Sequence, residues 1–189
     1  KGKFIYTHNS WHSAIFNVLL GRKEEALQIF NDNIIGINWW HYLNRFHMLA
    51  LLMYLDLLGE NVVDLFPARL ISELQDRNKW TRDPLVDILS VWALHKTGNV
   101  QAATDLAKLG NLGEVWEAGV RVMTFLGSGE RSMAARELDP YLQQVNLFGS
   151  SNEQRKTISD ACLLTRSQTL NFLLRKKRKS DRDNENTTS

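Results

Sequence analysis

The sequence predicts an all-α protein, an α-solenoid of degenerate helical hairpins that ends in a disordered basic tail. Three observations predict it. Apolar residues recur at three- and four-residue intervals over long stretches, and no stretch alternates with a two-residue period in β-branched residues, so no sheet is expected. Only three prolines interrupt 189 residues. Four glycines, Gly21, Gly59, Gly98 and Gly129, each follow one apolar-periodic run and precede a second, at separations of 38, 39 and 31 residues, the range of helical-hairpin repeats. A single hairpin cannot hide its apolar stripe alone, and stacking on neighbours supplies the missing cover.

The first hairpin is the clearest. Asn9 or Ser10 is placed to cap a helix in which Trp11, Ala14, Ile15, Val18 and Leu19 recur at helical spacing. Gly21-Arg22-Lys23 then turns the chain, and Ala26, Leu27, Ile29, Phe30 and Ile34 resume the period. Glycine suits the turn because it leaves the helix in a left-handed conformation that costs other residues more. The second hairpin opens with the longest apolar run, Met48 to Leu58, broken by Asp56 and stopped at Gly59. That run is far short of the roughly 20 residues that span a bilayer, and it reads as a buried helix. Asp83-Pro84, an acid directly ahead of a first-turn proline, starts the helix through Trp92 and Leu94. Asp139-Pro140 marks a helix end or kink near the close of the fourth hairpin. Asn152 to Leu164 and Ser167 to Leu174 read as a last helix pair.

Aligned on the glycines, Ala103 and Ala134 stand where Ala26 does, five residues beyond the turn, and a small residue there allows close approach of the paired helices. The second hairpin has Asp64 at that place, and only Ala14 supplies the small residue seven before a glycine. The spacing is that of a degenerate tetratricopeptide repeat. Against this frame the segment YTHNSWHSAIFNVLLGRKEEALQIFNDNI, Tyr6 to Ile34, resembles the tetratricopeptide repeat protein 38 family, which carries a His-Asn-x-Trp-His motif opening a helix, a glycine turn and an Ala-Leu-x-x-Tyr/Phe helix. LLMYLDLLGENV, Leu51 to Val62, is similar to that family's next unit, and GSSNEQRK, Gly149 to Lys156, to its Gly-Ser-His-Ala-Gln-Arg-Asp motif. The resemblance implies a repeat-built all-α protein whose N-terminal repeats lie upstream of this chain. It also implies a departure: His8 and His12 match the family's first motif, but Asn152 replaces the histidine of the later one. Leu89 likewise replaces the histidine of an Asp-Leu-His motif aligned on Asp87 and Ile88. Any chemistry built on convergent histidines is therefore expected to be weakened here.

Residues 1–174 are read as the solenoid and 175–189 as its tail. RKKRKSDRDNENTTS, residues 175–189, has no Leu, Ile, Val or aromatic residue and holds six bases against three acids. It cannot bury enough apolar surface to offset its ordering entropy. The chain's formal charge of +2, from 23 Lys and Arg against 21 Asp and Glu, is thus a property of the tail, and the body is near neutral. The composition argues against a nucleic-acid binder, apart from weak contact through the run Arg175 to Lys179, which also matches a nuclear-localisation composition. A single cysteine, Cys162, forms no internal disulfide and points to a reducing, cytoplasmic setting. No membrane span is expected.

No complete catalytic constellation is visible. His8 and His12 lie four apart, the spacing at which one helix presents two rings on one side. The residues between them, Asn9, Ser10 and Trp11, lack the glutamate of a metalloprotease motif, and two histidines without a third ligand bind metal weakly, so no metal site is expected. His41, His47 and His95 show no helical pairing with a carboxylate suited to general-base work. Gly127-Ser128-Gly129 lacks the third glycine of a dinucleotide fingerprint, and no Walker-type lysine follows a glycine loop, so no cofactor is expected. Trp39, beside Trp40, and Trp80, between Lys79 and Arg82, are candidate partner-binding residues. The expected function is that of a non-enzymatic interaction protein holding a peptide or partner helix on the face lined by first helices. The alternative is an enzyme or small-molecule binder whose polar pocket gathers His8, His12, Asp87, Asn152 and Arg155.

Overall fold

The computed structural model describes residues 2–36, 42–80, 83–108 and 113–141. All four marked glycines take a left-handed backbone there, with φ of +74° at Gly21, +97° at Gly59, +78° at Gly98 and +80° at Gly129. The same two hydrogen bonds close each turn. At the first, the Gly21 amide donates to the Val18 carbonyl and the Arg22 amide to that of Asn17; at the third, Gly98 donates to His95 and Asn99 to Leu94. This is the Schellman closure, which satisfies carbonyls that the helix end leaves without partners.

Eight α-helices and no strand occur among the described residues. They are α1 (Gly2–Leu19), α2 (Lys23–Ile29), α3 (Tyr42–Leu57), α4 (Ala68–Gln75), α5 (Pro84–Lys96), α6 (Val100–Ala107), α7 (Glu114–Gly127) and α8 (Arg131–Leu138). The helices before the glycines pack in chain order, α1 on α3, α3 on α5 and α5 on α7. Of the helices after them, α2, α6 and α8 pack on their own partners α1, α5 and α7. Ala26, Ala103 and Ala134 are fully buried at those pairings, as their spacing predicts. A turn of π-helix, Phe30–Ile34, continues α2 and turns both Phe30 and Ile34 into the core.

Two expectations are corrected. Asn9 and Ser10 do not cap the first helix; α1 starts at Gly2 and both lie inside it, with Ser10 buried against the core instead of turned back on the backbone. The second hairpin has no helix directly after its glycine. The Asn61 side chain accepts from the Val63 amide at 3.2 Å, residues Val63–Leu65 make a 3-10 turn with Asp64 exposed, and Pro67 delays α4 to Ala68. The expected start of α5 holds: Asp83 accepts from the amides of Leu85 and Val86, both at 3.1 Å, ahead of Pro84. Helix α8 stops at Leu138, directly before Asp139-Pro140.

The central helices are hydrophobic on every side. All residues from Asn44 to Leu57 on α3 are buried, as are nine of the thirteen in α5. Asp56, the one acid in the apolar run, is buried as well and joins three hairpins. It accepts from Lys96 at 2.7 Å and from the Trp92 indole at 3.3 Å, both on α5. Arg131 of α8 donates to the carbonyls of Asp56 and Leu57. Lys23 and Glu60 pair across the first two turns. No helix of the described residues is long and apolar enough to cross a membrane. The expected terminal helix pair and tail lie outside the described residues.

Candidate functional site

Because α1 begins at Gly2, His8 and His12 share one helix, one turn apart. Their Nε2 atoms lie 3.0 Å from each other. The Nδ1 of His8 lies 3.0 Å from Nε2 of His47, which reaches it from α3. Three imidazoles therefore run in series from the core toward solvent: His47 is only 1% exposed, whereas His8 and His12 are half-buried. Trp11 packs against all three rings, stacked on His47 at a centroid distance of 4.9 Å and an interplanar angle of 29°, and tilted against His12 at 4.9 Å. Phe46 closes on the other side of Trp11 at 5.6 Å. Thr7 and Ser10 of α1 and Asn44 and Arg45 of α3 are buried beside these rings in the sequence, so with His47 the starts of α1 and α3 carry five of the eight buried polar side chains among the described residues. Such a concentration within helices otherwise packed by apolar residues marks a site, since each buried polar group costs free energy unless it is satisfied.

Each N···N contact needs one N–H and one lone pair, so the three neutral rings have two consistent proton arrangements. Either His8 donates through Nδ1 to His47 and accepts from His12, or all three roles reverse. One extra proton fits on His8, which then donates through both nitrogens. A second sets N–H against N–H.

Asp87 stands in the first turn of α5, half-buried, where its carboxylate acts on the buried Arg45 guanidinium of α3. Burial pushes Arg45 below its ordinary value, while Glu73 and Asp87 hold it up. Arg45 also donates to the Lys79 carbonyl at 3.0 Å and pairs with buried Glu73 at 3.5 Å. Asp87 thus belongs with an ionic cluster that ties α3 to α4 and α5. Trp80 is half-buried against the core, and its indole donates to the Leu74 carbonyl at 2.8 Å, near the end of α4. Trp39, Asn152 and Arg155 lie outside the described residues. Among the described residues, no group of three or more His, Cys, Asp and Glu side chains is arranged to hold a metal ion.

His47 is the residue that inspection for helical His–carboxylate pairs passes over. The repeat itself carries the signal. His8 precedes its glycine by 13 residues and His47 precedes the next by 12, so successive first helices place them at nearly the same level.

The solvent side of α1 mixes exposed Asn9 and Ser13 with large apolar side chains, and Leu20 follows directly after the helix. Ile5, Phe16, Leu19 and Leu20 are 61%, 62%, 57% and 51% exposed and fall on the side opposite buried Thr7, Trp11, Ala14 and Val18. Comparison of the chain with family models, with curated proteins and with solved structures finds no match.

Proposed function

We propose that the chain is an α-solenoid of tetratricopeptide type, akin to the tetratricopeptide repeat protein 38 family. In this reading it works as a non-enzymatic interaction protein that binds a peptide or partner helix. The order of packing, first helix on first helix with α2, α6 and α8 on their own partners, supports the solenoid part. The observation that carries the binding part is the group of exposed apolar side chains Ile5, Phe16 and Leu19 on α1 and Leu20 directly after it. First helices α3 and α5 are buried along most of their length and α7 exposes Glu114, Glu117 and Arg121, so among the described residues the exposed apolar part of that layer is on α1. Ile5 and Phe16 stand eleven residues apart, three turns or about 16 Å along the axis, which matches the anchor spacing of an amphipathic partner helix. A cytoplasmic setting, with nuclear entry through residues 175–179, belongs to the same proposal.

Selection of amphipathic helical peptides against the full chain tests it. Selected peptides are expected to lose binding to a Phe16→Asp, Leu20→Asp variant whose unfolding midpoint is unchanged. Peptides that bind both chains equally would refute the assignment to α1. A second reading, a small-molecule site around His8, His12 and His47, is favoured by the serial contact of the three rings.

A further inference from the structure

We propose that His8 and His12 form a bidentate chelate for one borderline divalent transition-metal ion, with His47 as the positioning residue that holds His8 in the binding tautomer. The inference is independent of the docking reading. Two Nε2 atoms 3.0 Å apart, each at a metal–nitrogen bond of about 2.0–2.1 Å, subtend an angle of about 95° at the ion. That angle suits neighbouring positions of a six-coordinate or square Ni2+ or Cu2+ ion, and a compressed tetrahedral Zn2+ ion. Both ligands sit on one rigid helix, so the bite is set before the ion arrives.

The outer contact supplies what an isolated pair of histidines lacks. A ligating imidazole needs its lone pair on the metal side and an acceptor for its other N–H. His47 Nε2 stands 3.0 Å from His8 Nδ1 and serves as that acceptor in the first of the two proton arrangements, which turns the lone pair of His8 Nε2 toward His12. Trp11, stacked on the His47 ring, fixes the acceptor's plane. In that arrangement, without metal, the His12 Nε2–H lies between the two nitrogens. With metal, that proton sits on His12 Nδ1 and the ion takes its place, with no net proton released. His47 is not a third ligand, because it meets the other nitrogen of His8.

The test titrates the full chain with NiCl2 by calorimetry and with Zn2+ while following histidine ring 15N resonances. One ion per chain is expected, with His8 and His12 becoming Nε2-coordinated and His95 unmoved. His12→Gln, a substitution at a half-buried position, is expected to abolish the binding. His47→Gln is expected to weaken it by about 10- to 100-fold, the usual effect of removing an outer-shell partner. Should His47→Gln fail to fold, the ring 15N shifts of the unaltered chain still report the tautomer that His47 imposes on His8. Equal affinity in the unaltered chain and His12→Gln would overturn the proposal, as would absence of heat and of shifts at millimolar metal.

Discussion

Gly127→Ala is expected to destabilise the protein, against the preference of the helix that contains it. Gly127 ends α7, and its backbone is not in the left-handed region, so alanine is the better helix former by up to about 1 kcal/mol. Space decides otherwise. A Cβ at this position falls 2.5 Å from Cβ of His95 and 2.8 Å from the carbonyl oxygen of Trp92, both on α5. Ordinary carbon contacts start near 3.5 Å, so α5 and α7 must part by about 1 Å. The obstacles are a Cβ and a main-chain oxygen, which no rotamer change relieves. Overpacking costs about 1–3 kcal/mol, contacts of 2.5 and 2.8 Å place this case at about 2–3 kcal/mol, and less a propensity gain of about 1 kcal/mol the net loss is about 1–2 kcal/mol. For a chain of this size that lowers the unfolding midpoint by roughly 2–8 °C. Thermal unfolding followed by circular dichroism measures it, with Gly36→Ala as the control, since a Cβ there meets nothing within 4 Å. A Gly127→Ala protein as stable as the unaltered chain would refute the claim that this glycine sets the spacing of α5 and α7.

Three further outcomes are expected. Gly98→Ala meets open space but must hold φ at +78°, so backbone strain alone is expected to cost about 1–2 kcal/mol in urea unfolding; a loss below a few tenths would show that the turn relaxes. Asp56→Ala strips Lys96 and the Trp92 indole of their shared acceptor beneath the core, and a loss of about 3 kcal/mol is expected by the same assay, with a neutral result counting against the three-hairpin junction. Burial pushes the His95 imidazole below its ordinary value of 6.5, so the folded protein takes up this proton less readily than the unfolded chain. Stability from this group is therefore full above about pH 6.5 and is lost as pH falls from there toward the depressed folded value; His95→Gln is expected to flatten that part of the stability–pH curve, and an unaltered slope would assign it elsewhere.

The candidate site was half legible. His8 and His12 stand four apart in the sequence, although a cap at Asn9 or Ser10 would start the helix after His8. Ser10 is instead a buried residue inside α1, an outcome of tertiary packing that local sequence does not show. His47 was legible only through the repeat, because its partner lies 39 residues away and contact depends on α1 and α3 lying at matched levels. Asp87 was placed with the histidines by family resemblance. Its charge acts on Arg45, which local sequence gives no means of pairing with it.

What the sequence determined by itself is everything that acts within a few residues: the helical periods, the four left-handed glycine turns and the Asp83-Pro84 helix start. Hydrogen bonds and steric limits at that range leave little choice. The second hairpin marks the boundary, since Asn61 and Pro67 displace α4 by local chemistry that was present in the sequence but outweighed in the reading by the repeat pattern. Tertiary structure alone decided which helices are buried on every side, which apolar side chains of α1 stay in water, and that three imidazoles meet. Those outcomes depend on the distance between surfaces far apart along the chain, and packing sets that distance only when all the helices are in place.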